Sequence, residues 1–252
     1  QITIFYQDSE IPLYITKDGE YLIQGLTSLD IFNEESESES QTQEIPKSDK
    51  PDVELFVMSY CPFGTQAEKG IIPVAELLGD KIDFKIRYVY YAMHPSKGEV
   101  EEQLNQYCIQ EKYPEKFLDY LKCFLNNGDS PECMKEIGIS EADISDCVSE
   151  TDKEFDIMKN LNDNSLWLNG RFPLFNIDKG LNEKYGIRGS PTLVINGKVV
   201  QTSRSPAAFL DVVCQAFNNP PKECGTELST EAYSPGFGYD LSGDSGTNAQ
   251  CS

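Results

Sequence analysis

Between Val53 and Met93 the sequence changes its hydrophobic period twice, and that change leaves few folds open to it. VELFVMSY (53–60) is a nearly unbroken apolar run and reads as a buried strand. From Cys61 to Leu78 the apolar residues Ala67, Ile71, Val74, Ala75 and Leu78 recur at helical spacing, with Pro73 expected to kink the helix. KIDFKIRYVYYAM (81–93) then alternates, placing Ile82, Phe84 and Ile86 on one face of a second strand. Strand–helix–strand with connections this short is a βαβ unit.

The rest of the chain extends this plan. From about Val100 to Asp163 the pattern is helical, with turns at Tyr113-Pro114, Asn126-Asn127-Gly128 and Gly138. SPTLVINGKVV (190–200) places two strands around Asn196-Gly197, a strong hairpin signal. SPAAFLDVVCQAF (205–217) is a closing helix, with Ser205 as N-cap and Pro206 in the first turn. The predicted class is therefore α/β, in the order βαβ, helical insert, ββα. Ahead of it, residues 3–6, 12–16 and 21–24 are short β-prone runs, one turn being marked by Asp18-Gly19.

The sequence predicts an N-terminal β segment over 1–32 and a polar, disordered linker over 33–51 (NEESESESQTQEIPKSDKP). The main domain follows at 52–217, with its insert at about 100–163, and then an irregular tail over 218–252. A β segment of about thirty residues cannot stand alone. It has to pack on the main domain, on a partner, or on a copy of itself, the last making a homodimer.

Charge narrows the partners. The formal net charge is −21, which argues against nucleic acid and against an anionic membrane surface. No stretch approaches the ~20 apolar residues of a membrane helix, so no membrane insertion is expected. No signal sequence is visible, and the chain begins at Gln1 rather than Met, as a mature or trimmed form would. The acidic runs at 34–40 and 99–102 read as solvated faces.

Eight cysteines, at 61, 108, 123, 133, 147, 214, 224 and 251, are more telling. They form no paired CxxC knuckles, and one histidine leaves little else for a zinc site, so neither metal nor cofactor is expected. Disulfides in an oxidising, extracytoplasmic compartment explain them most simply. Buried free thiols in a cytosolic protein are the bland alternative.

Cys61 stands where a buried strand ends and a helix begins. Unpaired N–H groups and the helix dipole at such a position favour the thiolate, the nucleophilic form. Pro62 lacks an N–H and suits the first helical turn, while Gly64 lets a substrate backbone come close. Ser190-Pro191 opens the hairpin, and a proline there points to a cis peptide bond presenting the Ser190 backbone to an extended peptide. His94, the single histidine, follows the strand ending in VYYAM and would lie on the same edge as Cys61, as a proton shuttle or merely as a loop residue. Trp167, Phe172 and Phe175 read as core.

YCPFG after a buried strand, with GIRGSPTLVINGK downstream, resembles the DsbA-like branch of the thioredoxin superfamily. The insert, YCIQ…LKCFL…PECMKE…SDCVSE, is similar to the four-cysteine helical insert of the gamma-interferon-inducible lysosomal thiol reductase family. DGEYLIQGLTSLD resembles the end of the dimerisation segment of periplasmic disulfide isomerases. Apart from that phrase, the likeness covers roughly residues 52–217. It implies a thioredoxin-like fold and thiol–disulfide exchange on protein substrates, with Cys61 in the Cys61-Pro62-Phe63-Gly64 motif as the attacking thiol and Pro191 shaping the substrate groove.

Gly64 departs from the family pattern, which has a second cysteine at that place. The mixed disulfide formed by Cys61 then needs another resolver: a small thiol, the substrate's own second thiol, or a distant cysteine of this chain. Nested Cys108–Cys147 and Cys123–Cys133 bridges would staple the insert, and Cys214–Cys224 would tie the last helix to the tail, other connectivities staying open. Cys251, after the flexible-looking SGDSGTNAQ, is then a candidate mobile resolving cysteine; a Cys224–Cys251 bridge or an inert thiol are the alternatives. Two functions compete: a monothiol disulfide oxidoreductase or isomerase with an unidentified redox partner, and a redox-inactive module that binds peptides in the Pro191 groove. A glutaredoxin-like iron–sulfur carrier is disfavoured by the oxidised look of the other cysteines.

Overall fold

In a computed structural model the chain is described at residues 2–6, 9–15, 22–24, 44–94 and 96–241, so the acidic run at 34–40 and Cys251 lie outside the described residues. The chain divides into two compact units, Gln1–Glu44 and Ile45–Ser252. In the first, β1 (Ile2–Tyr6), β2 (Ser9–Ile15) and β3 (Leu22–Gln24) form an antiparallel sheet in the order β1-β2-β3. Ile4 pairs with Ile11 and Tyr14 with Ile23.

The second unit is built on a four-stranded sheet. Its first strand, β4 (Asp52–Val57), leads into α1 (Pro62–Leu78), which runs through Pro73 as one helix. Next come β5 (Asp83–Tyr88) and the helical insert: α2 (Ser96–Lys112), α3 (Pro114–Asn127), α4 (Ser130–Glu136), α5 (Glu141–Phe155) and α6 (Ile157–Asn162). The chain returns through α7 (Lys179–Tyr185) to β6 (Thr192–Ile195), β7 (Lys198–Val200) and α8 (Pro206–Gln215). The sheet order is β5-β4-β6-β7. β4 lies parallel to β5 (Leu55 opposite Ile86) and antiparallel to β6 (Leu55 opposite Leu193).

The unbroken apolar run of β4 now has a reason. Val53, Leu55 and Val57 join the main core with Ile71, Leu78 and Phe209, while Phe56 and Met58 enter a second cluster with Val89, Ile187 and Val194. Both faces of the central strand are covered, so period-2 alternation is lost. The β6–β7 turn is made by Asn196 (φ 48°) and Gly197 (φ 78°), both left-handed as a two-residue hairpin of this kind requires. Asn196 also accepts a bond from the Asp52 N–H (2.9 Å), pinning the turn to the start of β4. Ser205 caps α8, accepting from the Ala208 N–H, with Pro206 in the first turn.

Several boundaries differ from the sequence reading. The linker was expected to reach residue 51, yet Ile45 is buried and Ser48 bridges to Phe217, with its N–H on the Ala216 carbonyl (2.9 Å). One apolar residue in a polar run suffices to dock the segment, and composition averages it away. The strand expected over 81–93 stops at Tyr88. The Val89 N–H still bonds to the Val57 carbonyl (3.0 Å), but there β4 ends and its partner turns away. The insert begins at Ser96 rather than near Val100. Phe175 is core, stacked edge-on against Tyr88, whereas Trp167 and Phe172 are only half-buried. The acidic run at 99–102 is not a solvated face, for Glu99 is fully buried and Glu102 is 3% exposed. Helical spacing turns these two glutamates inward with Gln103 and Gln106.

Candidate active site

The turn after β4 brings the Cys61 N–H onto the Met58 carbonyl (3.0 Å), and α1 starts at once, with the Thr65 N–H bonding to the Cys61 carbonyl (2.9 Å). Cys61 is thus the N-cap residue of α1, in extended conformation, followed by Pro62, whose missing N–H costs nothing in a first turn. Its thiol points at the Ser190 carbonyl oxygen (Sγ to O 3.6 Å), and the Ser190–Pro191 peptide bond is cis. The Ser190 hydroxyl accepts from the Met58 N–H (2.9 Å), locking the start of the hairpin to the turn that carries Cys61. Cys61, Pro62, Phe63, Gly64, Ser190 and Pro191 therefore share one place, joined by backbone contacts. The thiol lies deep: Cys61 is 2% exposed, packed among Met58, Val89 and Ile187, with Phe63, Tyr91 and Met93 partly covering it.

Gly64 fills a gap that admits no side chain. A β-carbon there would sit 2.6 Å from Ser190 Oγ, 3.0 Å from the Met58 carbonyl oxygen and 3.3 Å from Cys61 Cβ. The space of a second motif cysteine is taken up by the Ser190 hydroxyl and the turn backbone. Gly64→Cys is expected to lower stability by about 1–3 kcal/mol, as overpacking does, and to break the Ser190–Met58 contact. Urea unfolding of the variant checks this, and a variant as stable as the parent would show that the gap is readily enlarged.

His94 makes no hydrogen bond to Cys61. Its N–H bonds to Glu99 Oε2 (2.9 Å) and its Nδ1 lies 3.4 Å from Glu99 Oε1, while Nε2 is buried without a partner among the described residues. The connection to the site runs through Glu99, which also accepts from the N–H groups of Tyr60 (3.2 Å) and Met93. Beside it, Gln103 Oε1 accepts from the Ser59 N–H (3.3 Å). One buried turn of α2 thus holds the two residues ahead of Cys61.

Sequence reasoning missed this layer and the one beneath it. Glu102 Oε1 accepts from Tyr120 Oη and Gln106 Nε2, each at 2.8 Å, and burial pushes its pKa up to about 7. Glu68 on α1 is 1% exposed with no partner for either carboxyl oxygen among the described residues, and burial, then Glu102, pushes its pKa well up. Lys69, fully buried, donates to the carbonyls of Ser234 (2.7 Å), Gly236 (2.8 Å) and Gly238 (2.6 Å), with burial drawing its pKa down to about 8. The only signal was a charged residue at a core-facing helical position, which composition cannot tell from a solvated one.

Those carbonyls belong to the segment expected to be an irregular tail. Over residues 233–241 that segment lies along α1: the Gly236 N–H bonds to the Pro62 carbonyl (3.0 Å), and Phe237 packs edge-on against Tyr60 and Phe124. Leu241 bridges back to Tyr233, whose carbonyl accepts from Gln66 Nε2 (2.7 Å). The remaining described cysteines are joined as Cys108–Cys147, Cys123–Cys133 and Cys214–Cys224. Among the described residues no group of histidine, cysteine and acidic side chains could hold a metal, and no helix is long and apolar enough to cross a membrane.

No family model matches the chain, and no curated protein matches it significantly. Solved structures do. Oxidised DsbA of Mycobacterium tuberculosis aligns over 73% of this chain and 94% of its own, at 16% identity and TM-score 0.50. BdbD from Bacillus subtilis, oxidised, aligns over 72% and 92% at 19% identity and TM-score 0.45. The fold is thioredoxin-like. Within that thioredoxin-like fold, Cys61 and the cis Ser190–Pro191 bond meet at one end of the two central strands, and the helical insert sits between β5 and α7.

Proposed function

We propose that this protein is a thiol–disulfide oxidoreductase or isomerase that acts on protein disulfides outside the cytoplasm, through Cys61 alone in its CPFG motif. The observation that carries the reading is the 3.6 Å approach of the Cys61 thiol to the Ser190 carbonyl, at the N-terminus of α1. A substrate strand running past Ser190 and Pro191 would bring its sulfur to that thiol. The Cys61 thiolate attacks one sulfur of a substrate disulfide; the S–S bond breaks, the second substrate sulfur leaves as thiolate, and a mixed disulfide remains. Attack by another thiol on the substrate sulfur of that bond releases Cys61. Three disulfides support an oxidising compartment, and the four-cysteine insert supports kinship with lysosomal thiol reductase architecture.

Three resolving thiols fit the reading: a small thiol, the substrate's own second cysteine, or Cys251. The path of the tail supports Cys251. Leu241 lies against Tyr233 and so close to the first turns of α1, and the ten residues from there to Cys251 can extend by ~35 Å. The competing function is a redox-inactive module that binds a peptide or partner beside Pro191, favoured by the 2% exposure of Cys61.

A non-reducing peptide map of native protein alkylated at low pH separates these. Modification at Cys61 alone is the expected result for a monothiol enzyme. A Cys61–Cys251 disulfide would make it a dithiol enzyme with its second cysteine in the tail. A Cys61 that is alkylated only after unfolding would overturn the enzymatic reading and leave the binding module.

A further inference from the structure

Only four of the 21 basic residues are arginines, in a chain of net charge −21. Arg87 is tied into the sheet, with Nε 2.8 Å from Glu54 and Nη1 3.3 Å from Asp178. The other three border the Cys61 site, and no ion pair holds any of them among the described residues. Arg204 lies over the ring of Phe63 (5.1 Å to its centre) and donates to Gln66 Oε1 (3.0 Å). Arg188 is exposed and stands two residues before Ser190; its carbonyl accepts from the Tyr91 hydroxyl (3.0 Å). Arg171 is exposed and lies 5.5 Å from the ring centre of Phe172, which packs 5.7 Å from Tyr91. Arg204 thus lies on Phe63 of the Cys61 motif, and Arg171 on Phe172, whose neighbour Tyr91 bonds to the backbone of Arg188.

A guanidinium laid on an aromatic face is held in place while its outer N–H edge stays free to pair with a carboxylate. Lysine, a flexible point charge, does this less well. The acidic body of the protein does not oppose such pairing at contact range, because repulsion beyond ~8 Å is screened at physiological salt. We infer that this arginine–aromatic band is a docking surface for an extended, acidic polypeptide segment carrying the substrate cysteine. The inference rests on the thiol-exchange reading for its reaction, although not for its binding.

Two peptides serve as probes, each with one cysteine as its 2-thiopyridyl disulfide, one flanked by glutamates and the other by lysines. Attack by Cys61 on the peptide sulfur releases pyridine-2-thione, which reports the rate. The full chain is expected to react about tenfold faster with the acidic peptide, as three ion pairs near the surface allow. Arg188→Glu, at an exposed position, should erase or reverse that preference, and the triple change of Arg171, Arg188 and Arg204 to Lys should weaken it. Equal rates for both peptides, or a preference unchanged in Arg188→Glu, would overturn the docking surface while leaving the enzymatic reading intact. Should neither peptide react, binding decides: Cys61→Ser is titrated with fluorescent serine versions of both peptides. Tighter binding of the acidic one sustains the surface without the chemistry, and equal or absent binding ends it.

Discussion

Glu102→Gln is expected to be more stable than the parent by about 3 kcal/mol at pH 8 and equal to it near pH 4. Below the ordinary glutamate value of 4.5 the carboxyl is protonated in both folded and unfolded chains, and its contribution to stability is fully present. As pH rises toward about 7, the folded-state pKa, only the unfolded chain releases the proton, and stability falls. A shift from 4.5 to about 7 is worth about 3 kcal/mol at 1.36 kcal/mol per unit. Glutamine keeps the acceptor that Tyr120 and Gln106 use and removes the charge. Glu68, with its carboxyl unpartnered among the described residues and pushed up first by burial and then by Glu102, acts in the same direction. Urea midpoints of parent and variant at pH 4, 6 and 8 measure the difference, in which the general repulsion of the −21 surface largely cancels. A gap that does not widen with pH would mean that the carboxyl is ionised in the fold from the outset.

Lys69→Met is expected to cost about 3 kcal/mol and to free the segment 233–241 from α1. The ammonium bonds to three carbonyls of that segment and lies 5.9 Å from the Tyr239 ring, and with a pKa of about 8 it is charged at neutral pH. Methionine fills the volume but removes the ammonium from the Ser234 and Gly238 carbonyls; Gly236 keeps the Thr65 hydroxyl at 3.2 Å. Once the strap lifts, Phe237 leaves Tyr60 and Phe124, and the edge beside Cys61 and Pro62 is uncovered. Limited proteolysis between 230 and 241, followed by mass spectrometry, should therefore cut the variant far faster than the parent. A segment equally protected in both would show that Gln66, Thr65 and the Pro62 carbonyl hold it unaided.

How much was legible beforehand follows the range of the forces concerned. The Asn196-Gly197 turn, the Ser205 cap and the strand-to-helix step at Cys61 are settled within a few residues by backbone sterics and hydrogen-bond supply, so the sequence discloses them. The same local rules place Pro191 at the start of a strand and leave Gly64 without a thiol. Residues 45–51 and 99–102 misled because their composition is polar, whereas Ile45, Glu99 and Glu102 are set by what the rest of the chain brings against them.

Periodicity and turn chemistry were thus enough for the order of strands and helices apart from α7, for the position of Cys61 and for its lack of a motif partner. Only the folded chain could decide that Ser190 occupies the space beside Gly64, that Glu99 holds the turn before Cys61, that Lys69 fastens the tail along α1, and that Arg204 lies on Phe63. Each of these joins residues far apart in sequence, from 39 positions for Tyr60 and Glu99 to 169 for Lys69 and Gly238. The cost of burying a charge such as Lys69 is offset where such distant partners converge, and no local pattern records that convergence.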